Sequence, residues 1–471
     1  MIKKLFFIYI CIGLLLCGCS FAPKYTQPKI PIPDTWPDGA AYENINNIPG
    51  TSISDLTWEN FFIEKSLQTI IRTALLNNRD LKLAALNVER ARDLYGIQRA
   101  ELYPTFNAIG EASKKRVPAN VSGTSSVSKR VQYDFNLEIA SWEIDFFGHI
   151  RSLKDQALET YLATEQARLS AQISLIAEVV MAYLTFAADR ENLKLAQATL
   201  KNQQESYDLI KKSYQIGLAT ELDVRRAQTL VDIARRDIPR FVQQVAQDQN
   251  ALNLLAGTQV TEKLLPRDLS NITPFKEIET ELSSNVLLTR PDILAAEHRL
   301  KAAYANIGAV RAAFLPRITL TGALGTASTE MNRLFKPGSG AWNFSPQITI
   351  PIFDARSWAA LRVSKAERKI MLTQYEKTIQ IAFREVSDVL SIKGTINKQI
   401  EAQMSLVDSV KETYRLSKKR YEMGLESYLG VLDAQRSLYG QQQILISFQL
   451  AKLANQVKLY AVLGGGGTFE K

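Results

Sequence analysis

The sequence predicts a mainly helical, internally duplicated fold to which each chain adds four β-strands of a membrane barrel. Three observations support this fold class. Segments of the first half recur in the second half at fixed spacing, and two stretches, 148–215 and 355–422, contain no proline and almost no glycine. Apolar and polar side chains also alternate residue by residue in both halves, as they do in strands that have one apolar face.

The duplication is visible as two constant offsets between matching residues. An offset of 212 residues relates Asp80 to Asp292, and an offset of 207 residues relates Tyr214 to Tyr421. Other matches at these offsets are Gly96 with Gly308, Pro104 with Pro316, Gly217 with Gly424, Leu218 with Leu425 and Gly257 with Gly464. Because chance matches do not keep a constant offset, the chain is predicted to contain two copies of one unit.

Each copy is predicted to run as helix, two strands, long helix, turn and helix. The first helix is expected at about 76–102 and again at 288–315, ending before a proline in each copy. The predicted segments are a signal peptide at 1–18, a Pro-rich arm at 19–56, a first repeat at 57–257, a linker at 258–285, a second repeat at 286–466 and a C-terminal tail at 467–471.

The N-terminus has the features of a secreted lipoprotein. Lys3 and Lys4 precede an apolar run that is too short to span a bilayer and that ends in Leu16-Cys17-Gly18-Cys19. This tetrapeptide resembles a bacterial lipobox, whose last cysteine is diacylated and becomes the mature N-terminus. We therefore expect lipidation at Cys19. The alternative is an ordinary signal peptide with an incidental cysteine.

The composition contains no sign of a catalytic, cofactor-binding or metal-binding site. All three cysteines lie at or before Cys19, and the two histidines, His149 and His298, are far apart in the sequence. The formal net charge is +9 without a basic low-complexity run, so nucleic acid is not an expected partner. No cofactor is expected.

Strand patterns occur in both copies. From Val131 to Ile139 the odd-numbered residues are apolar and the even-numbered residues are polar, and similar alternation occurs at 318–321 and 342–350. A soluble half-buried sheet and a membrane barrel fit this periodicity about equally well, and the lipobox favours the barrel. Asp134 and Glu138, on the polar face, are candidates to face the lumen, although they could equally be solvated residues near a loop.

Four strands are too few to close a barrel. An open sheet edge would leave backbone N–H and C=O groups unpaired in lipid. Other copies of the chain must therefore complete the barrel, and three chains would supply twelve strands. The sequence thus predicts a homotrimer in contact with membrane lipid.

The two proline-free stretches predict unusually long helices. Each could run about 65 residues, on the order of 100 Å. Apolar and small residues three or four apart, such as Leu193, Ala196 and Leu200, form a narrow seam typical of coiled-coil packing. Gly217 and Gly424 are expected to end these helices, and second helices of about 35 residues follow each turn.

Motifs spread along the chain carry a family resemblance. They are Cys19-Ser20 with Ala22-Pro23-Lys24-Tyr25, Trp142-Glu143-Ile144-Asp145-Phe146-Phe147-Gly148, Arg290-Pro291-Asp292-Ile293, Arg420-Tyr421-Glu422-Met423-Gly424 and Leu463-Gly464-Gly465-Gly466. In their order and spacing they resemble the TolC-like outer-membrane factors, in the lipoprotein branch that serves resistance-nodulation-division pumps. The similarity covers essentially the whole mature chain.

The resemblance implies a trimeric channel whose barrel lies in the outer membrane and whose helices cross the periplasm. It implies passive efflux of substrates delivered by an inner-membrane pump of that class, with a periplasmic adaptor docked on the helical ends. The adaptor-contacting residues would be Gly217, Leu218, Ala219 and Thr220 in the first copy and Gly424, Leu425, Glu426 and Ser427 in the second. The simpler alternative is that both glycines serve only as helix caps.

The resemblance also implies a periplasmic gate, which in the family often carries an acidic ring. The last two turns before Gly424 depart from this pattern, because Ser417 lies near the position where the family often has an aspartate. We therefore do not expect a carboxylate ring at that position. The gate candidates are Tyr414, Ser417 and Arg420.

Three alternatives to efflux fit the sequence less well. A type I protein secretion channel would share the fold, and the lipid anchor favours drug or metabolite efflux over it. A non-conducting periplasmic scaffold lipoprotein would need no alternating strands, so their presence in both copies argues against it. An enzyme has the least support, because the sequence has no nucleophile elbow, phosphate loop or paired ligand spacing.

Overall fold

The computed structural model describes residues 21–43, 56–118, 127–278 and 283–465. Cys19 with the signal peptide, part of the Pro-rich arm and the C-terminal tail lie outside the described residues. The described helices are α1 (Trp58–Phe61), α2 (Lys65–Asn77), α3 (Arg79–Ala100), α4 (His149–Gln215), α5 (Glu221–Ala256), α6 (Pro291–Ala312), α7 (Ala355–Glu422) and α8 (Tyr428–Val462). The described strands are β1 (Asn107–Val117), β2 (Ser128–Glu143), β3 (Arg317–Ser328) and β4 (Gly340–Thr349).

The chain divides into two compact units. The first, here called the strand unit, comprises Asn87–Glu165, Ala295–Tyr375 and the described residues up to Lys29. The second, here called the hairpin unit, comprises Ile30–Leu86, Gln166–Leu294 and the described residues from Glu376 onward. Each unit draws on both copies of the duplication, so neither copy forms a unit by itself.

The strands form one antiparallel sheet in the order β1-β2-β3-β4, so each strand pairs with its neighbours in sequence. In the described part of the chain, β1 pairs only with β2 and β4 pairs only with β3. The strands predicted at 131–139, 318–321 and 342–350 are confirmed as parts of β2, β3 and β4, although β2 and β3 are longer than predicted, and β1 supplies the fourth. The sheet therefore has two edges with unpaired backbone groups.

The apolar face of this sheet is exposed. Leu137, Leu324 and Trp342 are register partners in one row across the sheet, and they are 52%, 68% and 77% exposed in the single chain. The neighbouring row, on the opposite face, contains Glu138 and Asn343. A sheet in a water-soluble protein buries its apolar face, so the observed exposure is what a sheet bounded by lipid requires.

A β-bulge in β2 keeps Trp142 on the apolar face. The register shifts between Ile139, which is opposite Gly322, and Trp142, which is opposite Leu320. Because Trp142 is three positions after Ile139, strict alternation would have turned its indole to the polar face. The bulge instead turns the next residue, Glu143, to the polar side, where its carboxylate lies 2.6 Å from Arg317 Nε.

The four helices that follow the strands agree closely with the sequence predictions. The helix predicted at 148–215 is α4, which begins one residue later, and the helix predicted at 355–422 is α7, which has the predicted bounds. The return helices α5 and α8 contain 36 and 35 residues. The mainly helical, duplicated fold with four strands is therefore confirmed.

The first helix predicted at about 76–102 is α3, but it begins three residues later than predicted, because α2, which the sequence did not predict, ends at Asn77 and the chain breaks at Asn78. The Asn78 backbone is extended, its Oδ1 accepts the Leu81 N–H at 2.9 Å, and its Nδ2 donates to the Leu255 carbonyl at 3.0 Å. The side chain thus caps α3 while it holds α2 against the end of α5. The second copy has one helix, α6, which is shorter than the predicted 288–315.

One described helix, α4, is long and apolar enough by composition to cross a membrane. It contains an 18-residue window of mean hydropathy 1.6, but 56% of that window is buried inside the protein. Ile176, Val179 and Tyr183 in this part of α4 are fully buried, and the Tyr183 hydroxyl donates to Glu64 at 2.5 Å. The apolar stretch is therefore the core of the hairpin unit.

The start of the Pro-rich arm is bound to α6 within the strand unit. The Tyr25 hydroxyl donates to Glu297 at 3.0 Å, its ring packs edge-on against Tyr304, and Arg311 donates to the Phe21 carbonyl. Gly308 makes the close approach possible, because a Cβ there would lie 2.8 Å from Ala22 Cβ. The arm thus lies against the helix that leads into β3.

We predict that Gly308→Ala weakens the binding of the arm to α6. The added methyl group would overlap Ala22 and the Ser152 Oγ, 2.7 Å away, so tryptic cleavage after Lys24 should become several-fold faster. Gly96 occupies the matching position of the first copy and has no atom within 4 Å of a built Cβ. Gly96→Ala should therefore leave the cleavage rate unchanged, and equal rates in both variants would contradict the prediction.

Candidate functional site

The two helical reversals are the candidate site, and both are closed by the same hydrogen-bond pattern. Gly217 has φ 80°, and the Leu218 N–H donates to the Ser213 carbonyl at 2.8 Å. At the matching reversal Gly424 has φ 73°, and the Leu425 N–H donates to the Arg420 carbonyl at 2.9 Å. This is the Schellman end of a helix, which needs a left-handed residue and so favours glycine.

The return helices start differently in the two copies. Thr220 and Asp223 form a capping box at the start of α5, with each side chain bonded to the backbone N–H of the other. Ser427 has no such side-chain bond at the start of α8. There Glu426 instead pairs with Arg420 at 3.0 Å, which joins the two sides of the second reversal.

The two hairpins pack together directly behind the reversals. A buried group, here called the tip cluster, consists of Ile210, Ala227, Leu230, Tyr428, Val431 and Leu432. Ala219, Tyr414 and Tyr421 are partly buried against it. Burial raises the pKa of Tyr414, so its hydroxyl stays neutral across the physiological range. The tip cluster therefore fixes the position of both reversals relative to each other.

Each reversal exposes three large apolar side chains at matching positions. Ile216, Leu218 and Leu222 are 72%, 78% and 56% exposed in the first copy. Met423, Leu425 and Leu429 are 65%, 64% and 47% exposed in the second copy. We call these six residues the tip triads. The sequence predicted only Leu218 and Leu425, although the constant offset of 207 residues also relates the other two pairs.

The remaining predicted site residues lie in two places, on β2 of the sheet and near the end of α7. Asp134 and Glu138 both lie on the polar face of the sheet, where Asp134 is opposite Glu111 in β1 and accepts a hydrogen bond from Gln132 at 2.8 Å. Of the gate candidates, Tyr414 packs on the tip cluster, Ser417 is half-buried and Arg420 pairs with Glu426. The gate assignment stays a prediction.

Sequence reasoning did not find a carboxyl pair between α4 and α5. The carboxyl groups of Asp189 and Asp248 interact with each other, and the Asp248 Oδ2 is buried without a hydrogen-bond partner. Burial, with the charge of Asp189, raises the pKa of Asp248 to about 7. Burial also raises the pKa of Asp189, against the opposing effect of Arg240. Nothing in the local sequence brings these residues together, because they lie on separate helices.

Among the residues that the structure describes, no group of three or more His, Cys, Asp or Glu side chains could hold a metal ion. At the reversals, Glu221, Asp223 and Glu426 are engaged in a cap or an ion pair within the chain. The surface feature that the two reversals share is the pair of tip triads.

Comparison with protein families places both halves of the chain in one family. Residues 70–258 and 282–465 match the family described as outer membrane efflux protein. One match lies in each copy of the duplication. The chain is also 45% identical over 455 residues to the probable efflux pump outer membrane protein TtgC of Pseudomonas putida, covering 96% of this chain and 94% of that protein.

Solved structures of similar proteins have the same fold. A membrane protein from Pseudomonas aeruginosa is 38% identical and matches with a TM-score of 0.90 over 95% of this chain and 98% of its own. The open state of the MtrE outer membrane channel of Neisseria gonorrhoeae is 36% identical and matches with a TM-score of 0.85, over 95% and 98% of the two chains.

We predict that the Asp189–Asp248 pair makes the stability of the α4–α5 hairpin depend on pH. The folded pKa of Asp248, about 7, exceeds its ordinary value of 3.8, so the stabilisation is complete below about pH 4 and is lost as the pH rises through 7. Asp248→Asn should remove this dependence and raise the Tm at pH 8 by about 2 °C. Thermal unfolding followed by circular dichroism between pH 4 and pH 8 measures it.

Asp232→Asn is the matched control, because it removes the same charge from an exposed position of α5. It should keep the wild-type dependence of Tm on pH. If Asp248→Asn also keeps that dependence, the two carboxyl groups do not share a proton.

Proposed function

The chain belongs to the outer membrane efflux protein family, and we propose that three copies of it form the exit channel of a tripartite pump. It is an outer-membrane efflux channel. Conduction through it would be passive, and the chain would act as a conduit without enzymatic activity. Energy would come from an inner-membrane pump of the resistance-nodulation-division class, linked to the channel by a periplasmic adaptor.

The observation that carries the trimer is the exposed apolar face of a sheet that has two unpaired edges. In lipid, an unpaired backbone group costs several kcal/mol, so the edges of β1 and β4 must find partners. Within the described residues the chain itself supplies none. Pairing β4 of one copy with β1 of the next satisfies both edges, and three copies close a barrel of twelve strands.

The polar face of the sheet supports a water-filled interior. Alternation puts Glu111, Asp134 and Glu138 on the face opposite Leu137 and Leu324. If the apolar face meets lipid, these carboxylates line the lumen, where water solvates them. The lumen-facing role of Asp134 and Glu138 is thus part of the proposal.

Docking of the adaptor at the reversals is supported by the tip triads. Exposed apolar side chains at a helix end are costly in water, and their repetition in both copies argues against accident. If the reversals served only to end the helices, Gly217 and Gly424 would be required, but the apolar Leu218 and Leu425 beside them would not. In a trimer the two reversals of each chain would give six similar docking points, formed by the residues 217–220 and 424–427.

We predict that a charge on the apolar face of β3 prevents insertion, whereas a charge on the neighbouring residue does not. Leu324→Arg puts a guanidinium in lipid, at a cost of about 2–4 kcal/mol near the midplane. Ala323→Arg puts the same group on the polar face. Reconstituted Ala323→Arg should give trimers and conductance steps, and Leu324→Arg should give far fewer inserted channels.

The opposite ranking, or a stable monomer that needs no detergent, would exclude a membrane barrel of this orientation. Both variants change one residue of the same strand to the same side chain, so a difference between them reports the face. Chemical crosslinking in detergent measures the trimer independently of conductance.

We predict that single cysteines at Ala219 and Ser427 crosslink to the periplasmic adaptor in cells. The mature chain would have no other free thiol, since Cys11 and Cys17 precede the proposed lipidated residue. Cysteines at Lys24 and Lys29, on the Pro-rich arm, are the controls and should not react with the adaptor. Crosslinks from the arm but not from the reversals would place docking elsewhere.

We predict that Cys19 is acylated in the mature protein, because the lipobox ends there and the arm that follows is bound to α6 close to β3. Two acyl chains suffice for stable attachment to a membrane. Mass spectrometry of the mature N-terminus should detect a lipid-modified Cys19. Cys19→Ala should change processing and anchoring, and an unmodified N-terminus at another residue would contradict the prediction.

A further inference from the structure

Two pairs of adjacent lysines lie just behind the reversals, at matching positions in the two copies. Lys211 and Lys212 precede Gly217 in α4, and Lys418 and Lys419 precede Gly424 in α7, at the constant offset of 207 residues. All four are exposed. We call them the lysine collar. Because each pair lies about one and a half turns from its glycine, the collar borders the tip triads.

Four acidic residues near the reversals are already engaged within the chain. Glu221 pairs with Arg225 at 3.2 Å, and Asp223 caps α5. Glu426 pairs with Arg420, and Glu412 forms a two-bond ion pair with Arg415. The pKa of Glu412 is lowered mainly by its hydrogen bond with Arg415, and the charge of Lys419 lowers it further. The acid that interacts with Lys419 is therefore already paired with Arg415.

The collar lysines have no such partners. Across the part of the chain that the structure describes, none of the four has a carboxylate oxygen within 4.0 Å of its Nζ. The four ammonium groups therefore form no ion pair within the described residues. Lys211 lies over the Tyr207 ring, and the nearest acids along the helices are Asp208 and Glu422, three or four residues away. A protein interface usually has an apolar centre surrounded by a polar, solvent-accessible rim.

We propose that the lysine collar is the rim of the docking surface and that it selects an adaptor whose docking end is acidic. This inference rests on the proposed docking at the reversals and adds the chemistry of the partner. The adaptor end would present apolar side chains to the tip triads and carboxylates to the lysines around them. Charge of this kind governs the rate and specificity of association more than the final affinity.

The test measures the crosslink from Ser427→Cys to the adaptor in four backgrounds. The collar variant replaces Lys211, Lys212, Lys418 and Lys419 with Gln. The matched control replaces four exposed lysines of the same two long helices, Lys201, Lys365, Lys369 and Lys377, with Gln, so it removes the same charge at a distance. An Arg version of the collar keeps the charge, and the unmodified lysine background is the reference.

We expect the Gln collar to lower the crosslinking yield at least roughly five-fold at low ionic strength and to flatten its dependence on salt. The Arg collar and the distant Gln control should retain the reference yield. Trimer formation by each variant is checked by crosslinking in detergent, and it should be unchanged because all substituted side chains are exposed.

Two outcomes separate the failure of this inference from the failure of docking itself. If Ser427→Cys and Ala219→Cys give no adaptor crosslink even with the lysines intact, docking at the reversals is wrong. If the crosslink persists in the Gln collar with unchanged salt dependence, docking stands and the acidic partner is wrong. The reconstituted channel with the Gln collar could instead show a changed ion selectivity while the adaptor crosslink stays intact. That result would mean that the lysines interact with anions passing through the channel, and it would overturn the proposal.

Discussion

The need to pair every backbone N–H and C=O group in lipid is the constraint on which the rest of this structure depends. Each copy of the duplication contributes only two strands, and the four strands together still leave β1 and β4 with unpaired edges in the described chain. On such an open sheet, exposing the side chains of Leu324 and Trp342 to water is energetically unfavourable. Assembly in the membrane both pairs the strand edges and covers the apolar face with lipid. The bulge before Trp142 keeps this apolar face continuous up to the end of β2.

The duplication gives the chain two helical reversals with the same construction. The two reversals share the same Schellman closure and expose the same kinds of apolar side chains, so the chain offers two similar surfaces from one ancestral design. The starts of α5 and α8 differ, with a capping box in one and an Arg420–Glu426 ion pair in the other. The end of each long helix therefore has the same hydrogen-bond pattern in both copies, whereas the start of the next helix is stabilised in two different ways.

Stability and the proposed docking depend on different parts of the hairpin unit. The tip cluster and the buried Tyr183 hold the helices together, and in the same unit burial beside Asp189 raises the pKa of Asp248. The tip triads and the lysine collar contribute nothing comparable to packing, because their side chains are exposed. Separating the two sets of residues allows a docking surface to change without loss of the fold.

The sequence by itself determined the long helices, the reversals and the alternating strands, because each depends on local chemistry. The absence of proline sets the extent of α4 and α7, glycine ends them, and period two identifies the faces of β2. Only the tertiary structure decided the break at Asn78, the binding of the arm at Gly308 and the pairing of Asp189 with Asp248. At each of these positions the deciding partner, Leu255, Ala22 or the second carboxyl group, lies far away in sequence, and local periodicity carries no information about such contacts.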